Sequence, residues 1–219
     1  MTAEALVALF LLLLLLFGWW VWVATARMDR LHRKVAASRV ALDHQLVRRA
    51  MVAVELASSE LMDPVSSVLT ADAAWSALGS AGGDSPAMVA VPPDLAVLVN
   101  EAMPSGPADD ASTARQATRE EVESELSRTL RAALGARADV ERMRALPAGP
   151  ELLDELAGAW YRVHLARRFH NEAVTQARRV RRKALVRALR IAGHAPMPET
   201  FEIDDGWPEA FGDPGPTAR

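Results

Sequence analysis

Between Ala5 and Ala26 the chain carries no charged side chain, and Leu11 to Leu16 is an unbroken run of leucine. About 20 apolar residues rising 1.5 Å each span a hydrocarbon core of about 30 Å, so this stretch is long enough to cross a bilayer as a helix. Trp19, Trp20 and Trp22 stand at its C-terminal end, where indole rings favour the headgroup interface. Arg27, Arg30, Arg33 and Lys34 follow at once. The membrane-interface residues are therefore expected to be Trp19, Trp20, Trp22, Arg27 and Arg30.

A cleaved signal peptide is the rival reading, and Ala24-Thr25-Ala26 resembles a small-x-small cleavage site. Two features oppose it. The residues before the apolar run include Glu4 and no Lys or Arg, and the run exceeds the usual signal-peptide core of about 7–15 residues. The expectation is an uncleaved transmembrane helix over 5–26 after a short extracytoplasmic N-terminus, 1–4. Basic residues lie only on the C-terminal flank, so the positive-inside rule places the soluble body in the cytoplasm of a single-pass cell-membrane protein.

The 219 residues suffice for one such anchor and one soluble domain. Beyond the anchor the chain is rich in Ala, Leu and charge and poor in aromatic residues, which favours helices over sheet. The absence of cysteine excludes disulfides, thiol catalysis and Cys-type zinc sites. A net charge of −3 points to neither an acidic nor a basic partner, but the distribution is uneven. Bases gather on two helical stretches, and acids in the loop and tail.

Met28 to Ser58 reads as a helix continuing from the anchor, with Leu31, Val35, Leu42, Leu46, Ala53 and Leu56 forming one apolar stripe. Asp63-Pro64 ends it, and Pro64 suits the first turn of a second helix over Val65 to Leu78. Residues 27–79 are thus the first helices of the body. Ser80 to Ala117 is rich in Gly, Pro, Ser and Asp and reads as a flexible loop, with a short helical turn at Asp94 to Ala102. Thr118 and Glu121 match a capping box ahead of Val122, Leu126, Leu130, Ala133 and Leu134. Gly135 and the Pro147–Pro150 segment bracket a turn, after which one long helix is expected from Glu151 to Ala192. Residues 118–195 supply the remaining helices. The acidic, Pro- and Gly-rich tail over 196–219 is expected to be largely disordered, with Phe201 to Ile203 docked.

Each helix has one apolar face and cannot bury it alone. The expected fold class is all-α: an N-terminal transmembrane helix followed by an antiparallel three- or four-helix bundle with long amphipathic helices.

Two stretches carry a resemblance. Leu31-His-Arg-Lys-Val35 through Ala41-Leu-Asp-His-Gln-Leu46-Val-Arg-Arg49 follows the anchor directly, and Glu155 to Val174 contains Arg168, Phe169, Asn171, Glu172 and Val174 in order. Together they resemble the LemA family of bacterial membrane-anchored helical proteins. Met51-Val-Ala-Val-Glu55 departs from that family's apolar-Pro-Asn segment, His170 replaces an aromatic residue, and the Phe-Pro pair beyond the Asn helix is absent. The resemblance implies a helical bundle without catalytic activity.

The residues offer little for catalysis. His32, His44, His164, His170 and His194 form no zincin-like i,i+4 pair, so no metal is expected, and exposed or half-buried helix positions are the expectation for them. No G-x-S-x-G turn, P-loop or dinucleotide fingerprint occurs, so no cofactor is expected either. Asp43, Glu55 and Asp154 read as solvated or N-terminal helix positions. The unusual feature is the basic run Arg178, Arg179, Arg181, Arg182, Lys183, Arg187 and Arg190. It is either a solvated face or a contact for anionic lipid. No aromatic residue interleaves it, which disfavours nucleic acid. Asn171 lies beside an apolar stripe, where it is either a buried amide that fixes helix register or an exposed one.

The reading is a non-enzymatic membrane-anchored scaffold or adaptor; the alternative is an accessory subunit of a larger membrane protein complex. Expected partners are membrane lipid and another protein, with self-association as a homo-oligomer through the amphipathic helices also open.

Overall fold

A computed structural model of the chain describes residues 3–81, 108–188 and 197–212. All regular structure among them is helical. The elements are α1 (Ala3–Ser58), α2 (Pro64–Ala81), α3 (Ala108–Ala133), α4 (Arg137–Arg144), α5 (Gly149–Arg181), α6 (Ala184–Ala188) and a 3-10 turn, Glu209–Phe211. Among the described residues α1 alone is long and apolar enough to cross a membrane. Its most apolar window has a mean hydropathy of 2.5 and buries none of its surface within the protein.

The chain divides into two compact units, Met1–Ser38 with Asn171–Thr200, and Arg39–His170 with Phe201–Arg219. In the second unit part of the apolar stripes read from spacing forms the core, whereas Val65, Leu69 and Trp75 of α2 and Phe169 of α5, read as apolar-face positions, are exposed. Ala53 and Leu56 of α1 cluster with Ala74 and Ala77 of α2, Leu126, Leu130 and Leu134 of α3, and Leu153, Leu156 and Trp160 of α5. A second cluster joins Leu42 and Leu46 to Val163 and to Phe201 and Ile203 of the tail. In the first unit Met28, Val180 and Val186 are buried together, with Leu31 packed against them.

Local chemistry explains the boundaries. Asp63 Oδ1 accepts hydrogen bonds from the Val65 and Ser66 amides at 3.1 and 3.0 Å, capping α2 ahead of Pro64 at its first position. Hydrogen bonding to Ser66 holds the Asp63 carboxyl below its ordinary pKa. The start of α5 requires glycine: a Cβ on Gly149 would stand 1.8 Å from the Met143 carbonyl oxygen.

Several expectations are corrected. The helix reaching Thr118 begins at Ala108, so 108–117 is not loop, and the Thr118 hydroxyl donates to the Ala114 carbonyl inside the helix instead of capping its end. No Gly or Pro falls between Pro107 and Gly135 to stop the helix sooner. The expected turn at Asp94 to Ala102 lies outside the described residues. Where only a turn was expected after Gly135, α4 forms, because Val140 and Met143 share a face and both are buried. The single helix expected over 151–192 breaks at Arg182 and Lys183. Arg178 with Arg182 and Arg179 with Lys183 are like-charged i,i+4 pairs, which oppose helix there. The tail is docked well beyond Ile203: Pro208 is buried, and Trp207, Ala210 and Phe211 pack against the larger core.

Candidate functional site

Two polar constellations and one open groove stand out in the larger unit. The first is buried. Arg49 occupies the apolar stripe of α1, between Leu46 and Ala53, and its side chain is 0 % exposed. Its Nη2 donates to Glu123 Oε2 at 2.9 Å and its Nη1 to the Ser127 hydroxyl at 2.9 Å. The guanidinium also lies over the Trp160 ring, 5.4 Å from its centroid. Glu123, 1 % exposed, faces Arg119 at 3.7 Å, and Arg119 faces Asp43 at 3.8 Å. Asp43 in turn stands 3.5 Å from Arg39. Asp43 is therefore not the solvated carboxylate expected but a buried one, 6 % exposed, because it sits one residue from Leu42 on the packed side of α1. His170 is likewise buried, whereas His44 and His164 are exposed and His32 is half-buried; His194 lies outside the described residues.

The cluster alternates guanidinium and carboxylate, each charge facing an opposite one, the arrangement that makes ion burial tolerable. It contains no nucleophile beside a base, and the Ser127 hydroxyl is bound to Arg49 and to the Glu123 carbonyl. Its hydrogen bonds and ion pairs tie α1 to α3. Among the described residues no group of three His, Asp or Glu side chains is placed to hold a metal ion.

The second constellation straps the tail to the helices. Arg131 binds Asp204 through two parallel hydrogen bonds, and Asp205 takes 3.0 Å hydrogen bonds from both Nε and Nη2 of Arg167. The Asp204 amide donates to the Ser124 hydroxyl at 3.0 Å, and Trp160 Nε1 donates to the Asp205 carbonyl at 3.2 Å. His164 Nδ1 lies 2.9 Å from Asp205 Oδ2. The hydrogen bonds from Arg131 hold the Asp204 carboxyl down at about 2, and the same bonds raise Arg131. Arg39 caps the strap from outside, 4.7 Å from the centre of the buried Phe201 ring.

The groove lies between α2 and α3. Its volume is about 680 Å³, and its lining includes the apolar Leu69, Ala73, Val122 and Ala133 and the charged Asp72, Glu121, Glu125 and Arg128, the last two paired with each other. Val65, Val68, Leu69 and Trp75 of α2 are all exposed, Trp75 by 62 %. They recur at i, i+3, i+4 and i+10, so they form one uncovered apolar face.

The predicted site residues fall mostly in the smaller unit. Trp19, Trp20 and Trp22 are exposed or nearly so on α1, with the Trp19 and Trp22 rings 5.5 Å apart. Arg27 and Arg30 are exposed just beyond. Of the basic run, Arg179, Arg182, Lys183 and Arg187 are exposed, and Arg178 and Arg181 are half-buried. Arg178 Nε donates to the Pro198 carbonyl at 2.6 Å. Arg190 lies outside the described residues. Asn171 is half-buried on α5. Sequence reasoning missed Arg49, Arg119, Glu123, Asp204 and Asp205. The available signal for Arg49 and Glu123 was a charge at a core position of an apolar stripe; the tail aspartates carried none. Comparison with known families, with curated proteins and with solved structures finds no match to this chain.

Proposed function

We propose that this chain is a single-pass membrane-anchored scaffold or adaptor without enzymatic activity, whose helical body lies in the cytoplasm. The observation that carries the reading is the continuity of α1. Its first part is apolar and uncovered by any other described segment, and its last part supplies Leu42, Leu46, Ala53 and Leu56 to the packed core. A segment with both roles is a membrane anchor in mechanical series with the body.

The body itself is read as an antiparallel three- or four-helix bundle, in keeping with the helical bundle that the LemA resemblance implies. Pairings along the helices support this course. Arg48 with Glu155, and Leu42 and Leu46 with Val163, are the pairings expected of α1 and α5 running in opposite directions. Ser80 with Arg119 brings the end of α2 to the first half of α3. In this reading the buried ions have a structural role.

The uncovered face of α2 supports a protein partner, since large exposed apolar patches rimmed by polar residues mark interaction sites. Asp72 and Glu121 in the lining, with Glu125 already paired to Arg128, suit an amphipathic helix with basic flanks. Native purification of the full chain in mild detergent, with mass spectrometry, tests the reading against its alternative. A partner recovered below equal amounts, and lost in the Leu69→Glu/Trp75→Glu variant while membrane location is kept, supports an adaptor. A fixed set of partners in equal amounts, indifferent to that variant, supports an accessory subunit instead.

A further inference from the structure

The smaller unit brings together two basic segments that lie about 150 residues apart in sequence. Val180, at the end of α5, and Val186, on α6, are buried against Met28, with Leu31 alongside. Met28 is two residues beyond Ala26, the last residue of the charge-free stretch, which is about 3 Å along a helix axis. Leu31 is about 8 Å beyond it by the same rise. A bilayer with a core of about 30 Å and a total thickness of about 40–45 Å has a headgroup layer of about 5–8 Å on each side. The packing of Val180 and Val186 on Met28 therefore sets α6 at the depth of that layer once α1 is inserted.

The charges at this depth are one-sided. Arg27 and Arg30 of α1 are exposed, as are Arg179, Arg182, Lys183 and Arg187 around α6, and the exposed Arg33 and Lys34 follow about 10–12 Å beyond Ala26, just outside the layer. Acids in the same unit are Asp29, already paired with Arg33 at 2.6 Å, Glu172, Glu199, and Glu4 at the far end of α1. No described ion pair holds Arg179, Arg182, Lys183 or Arg187. The break of the helix at Arg182 and Lys183 is part of the same arrangement. It lets α6 fold its apolar Val186 onto Met28 while its bases stay outside.

We infer that α6, the end of α5 and the turn of α1 after the anchor form a basic collar that seats in the headgroup layer and binds anionic phospholipid. This rests on the anchor reading, and it adds a lipid class and a second membrane contact to it. Nothing in the anchor reading alone requires a segment so distant in the chain to reach the bilayer. Each basic residue at an anionic surface contributes about 1 kcal/mol, equivalent to about fivefold in local lipid binding. The collar therefore gives the protein a preference among lipids that a bare apolar helix lacks.

The natural chain has no cysteine, so a single label reports one position. The full chain with Ala184→Cys, carrying a fluorophore, is reconstituted into vesicles of phosphatidylcholine with or without phosphatidylserine. Quenching by headgroup-labelled lipid of either type is then read. The collar predicts strong quenching and an excess for labelled phosphatidylserine. That excess falls about fivefold or more in Arg179→Gln/Arg182→Gln/Lys183→Gln/Arg187→Gln, whose helicity by circular dichroism is unchanged. An inserted chain whose label meets neither lipid overturns the collar and leaves the anchor standing. Equal quenching by the two lipids, unmoved by the neutralising changes, overturns the anionic preference. Loss of quenching on adding a DNA duplex at physiological salt assigns the basic run to nucleic acid instead. A chain that fails to insert at all fails earlier, at the anchor.

Discussion

Arg49 meets Glu123 where neither side chain reaches solvent, whereas Arg131 meets Asp204 with 28 % and 40 % of their side chains exposed. The chemical groups are the same and the consequences are opposite. At the first site water cannot replace a lost partner, so removing one ion strands the other in a medium of low dielectric. At the second, solvent and salt compete with the pair at all times, and its net contribution is small however good its geometry. What fixes the tail is then chiefly Phe201 and Ile203 in their apolar cluster, with the ion pairs setting where the strap lies. The buried pair holds the helices in one register, and the exposed pairs place a segment that the helices could fold without.

Breaking each site separately sharpens this contrast. The largest effect is expected from Arg49→Met, which leaves Glu123 buried with only the more distant Arg119. The full chain in mild detergent is expected to lose about 3–5 kcal/mol in urea unfolding. Combining it with Glu123→Leu is expected to recover part of that loss. A double variant as unstable as the sum of the two singles would mean that the ions do not act as a pair. Phe201→Ala follows at about 3 kcal/mol, the low end for a buried Phe, since the site can collapse by releasing the strap. Hydrogen exchange that quickens over 200–211 and nowhere else would show that release directly. Asp204→Asn is expected to cost only about 0.5–1 kcal/mol, and less at high salt.

The smallest effect is one of pH. Because the Asp204 carboxyl is lowered from 3.8 to about 2 in the folded chain, its contribution is fully present above about pH 4. It is lost as pH falls from about 4 through about 2, so protection of the strap amides is expected to decline in that window. Asp204→Asn is expected to remove this step. A step that persists in the variant would assign the acid sensitivity to another group.

The contrast also explains what could be read from the chain beforehand. A long apolar helix was legible because a run without charge has few other solutions, and the start of α2 was legible because Asp63-Pro64 carries its own capping chemistry. Arg49 was half legible. The spacing Leu42, Leu46, Arg49, Ala53, Leu56 puts it inside the stripe, but its partner is 74 residues away and no local pattern names it. The tail misled most. Its acidic, Pro-rich composition suits solvent equally well, and only the placement of Arg131 and Arg167 on other helices turns Asp204 and Asp205 into clasps. Gly206 shows how close the strap lies to its partner: a Cβ there would meet the Arg131 guanidinium at 2.2 Å. The break after Arg181 depended on repulsion summed over neighbouring bases, which periodicity of apolar residues does not register.

The buried Arg49 and the exposed Trp19, Trp20 and Trp22 stand on one helix, so the proposed anchor requires α1 to be kept whole. The most direct measurement is the intact mass of the chain extracted from membranes, taken after washing those membranes in alkaline carbonate. The account predicts that the chain stays with the membrane through the wash and that its mass includes the residues up to Ala26. A chain that begins at Arg27, or one released by carbonate, would contradict it.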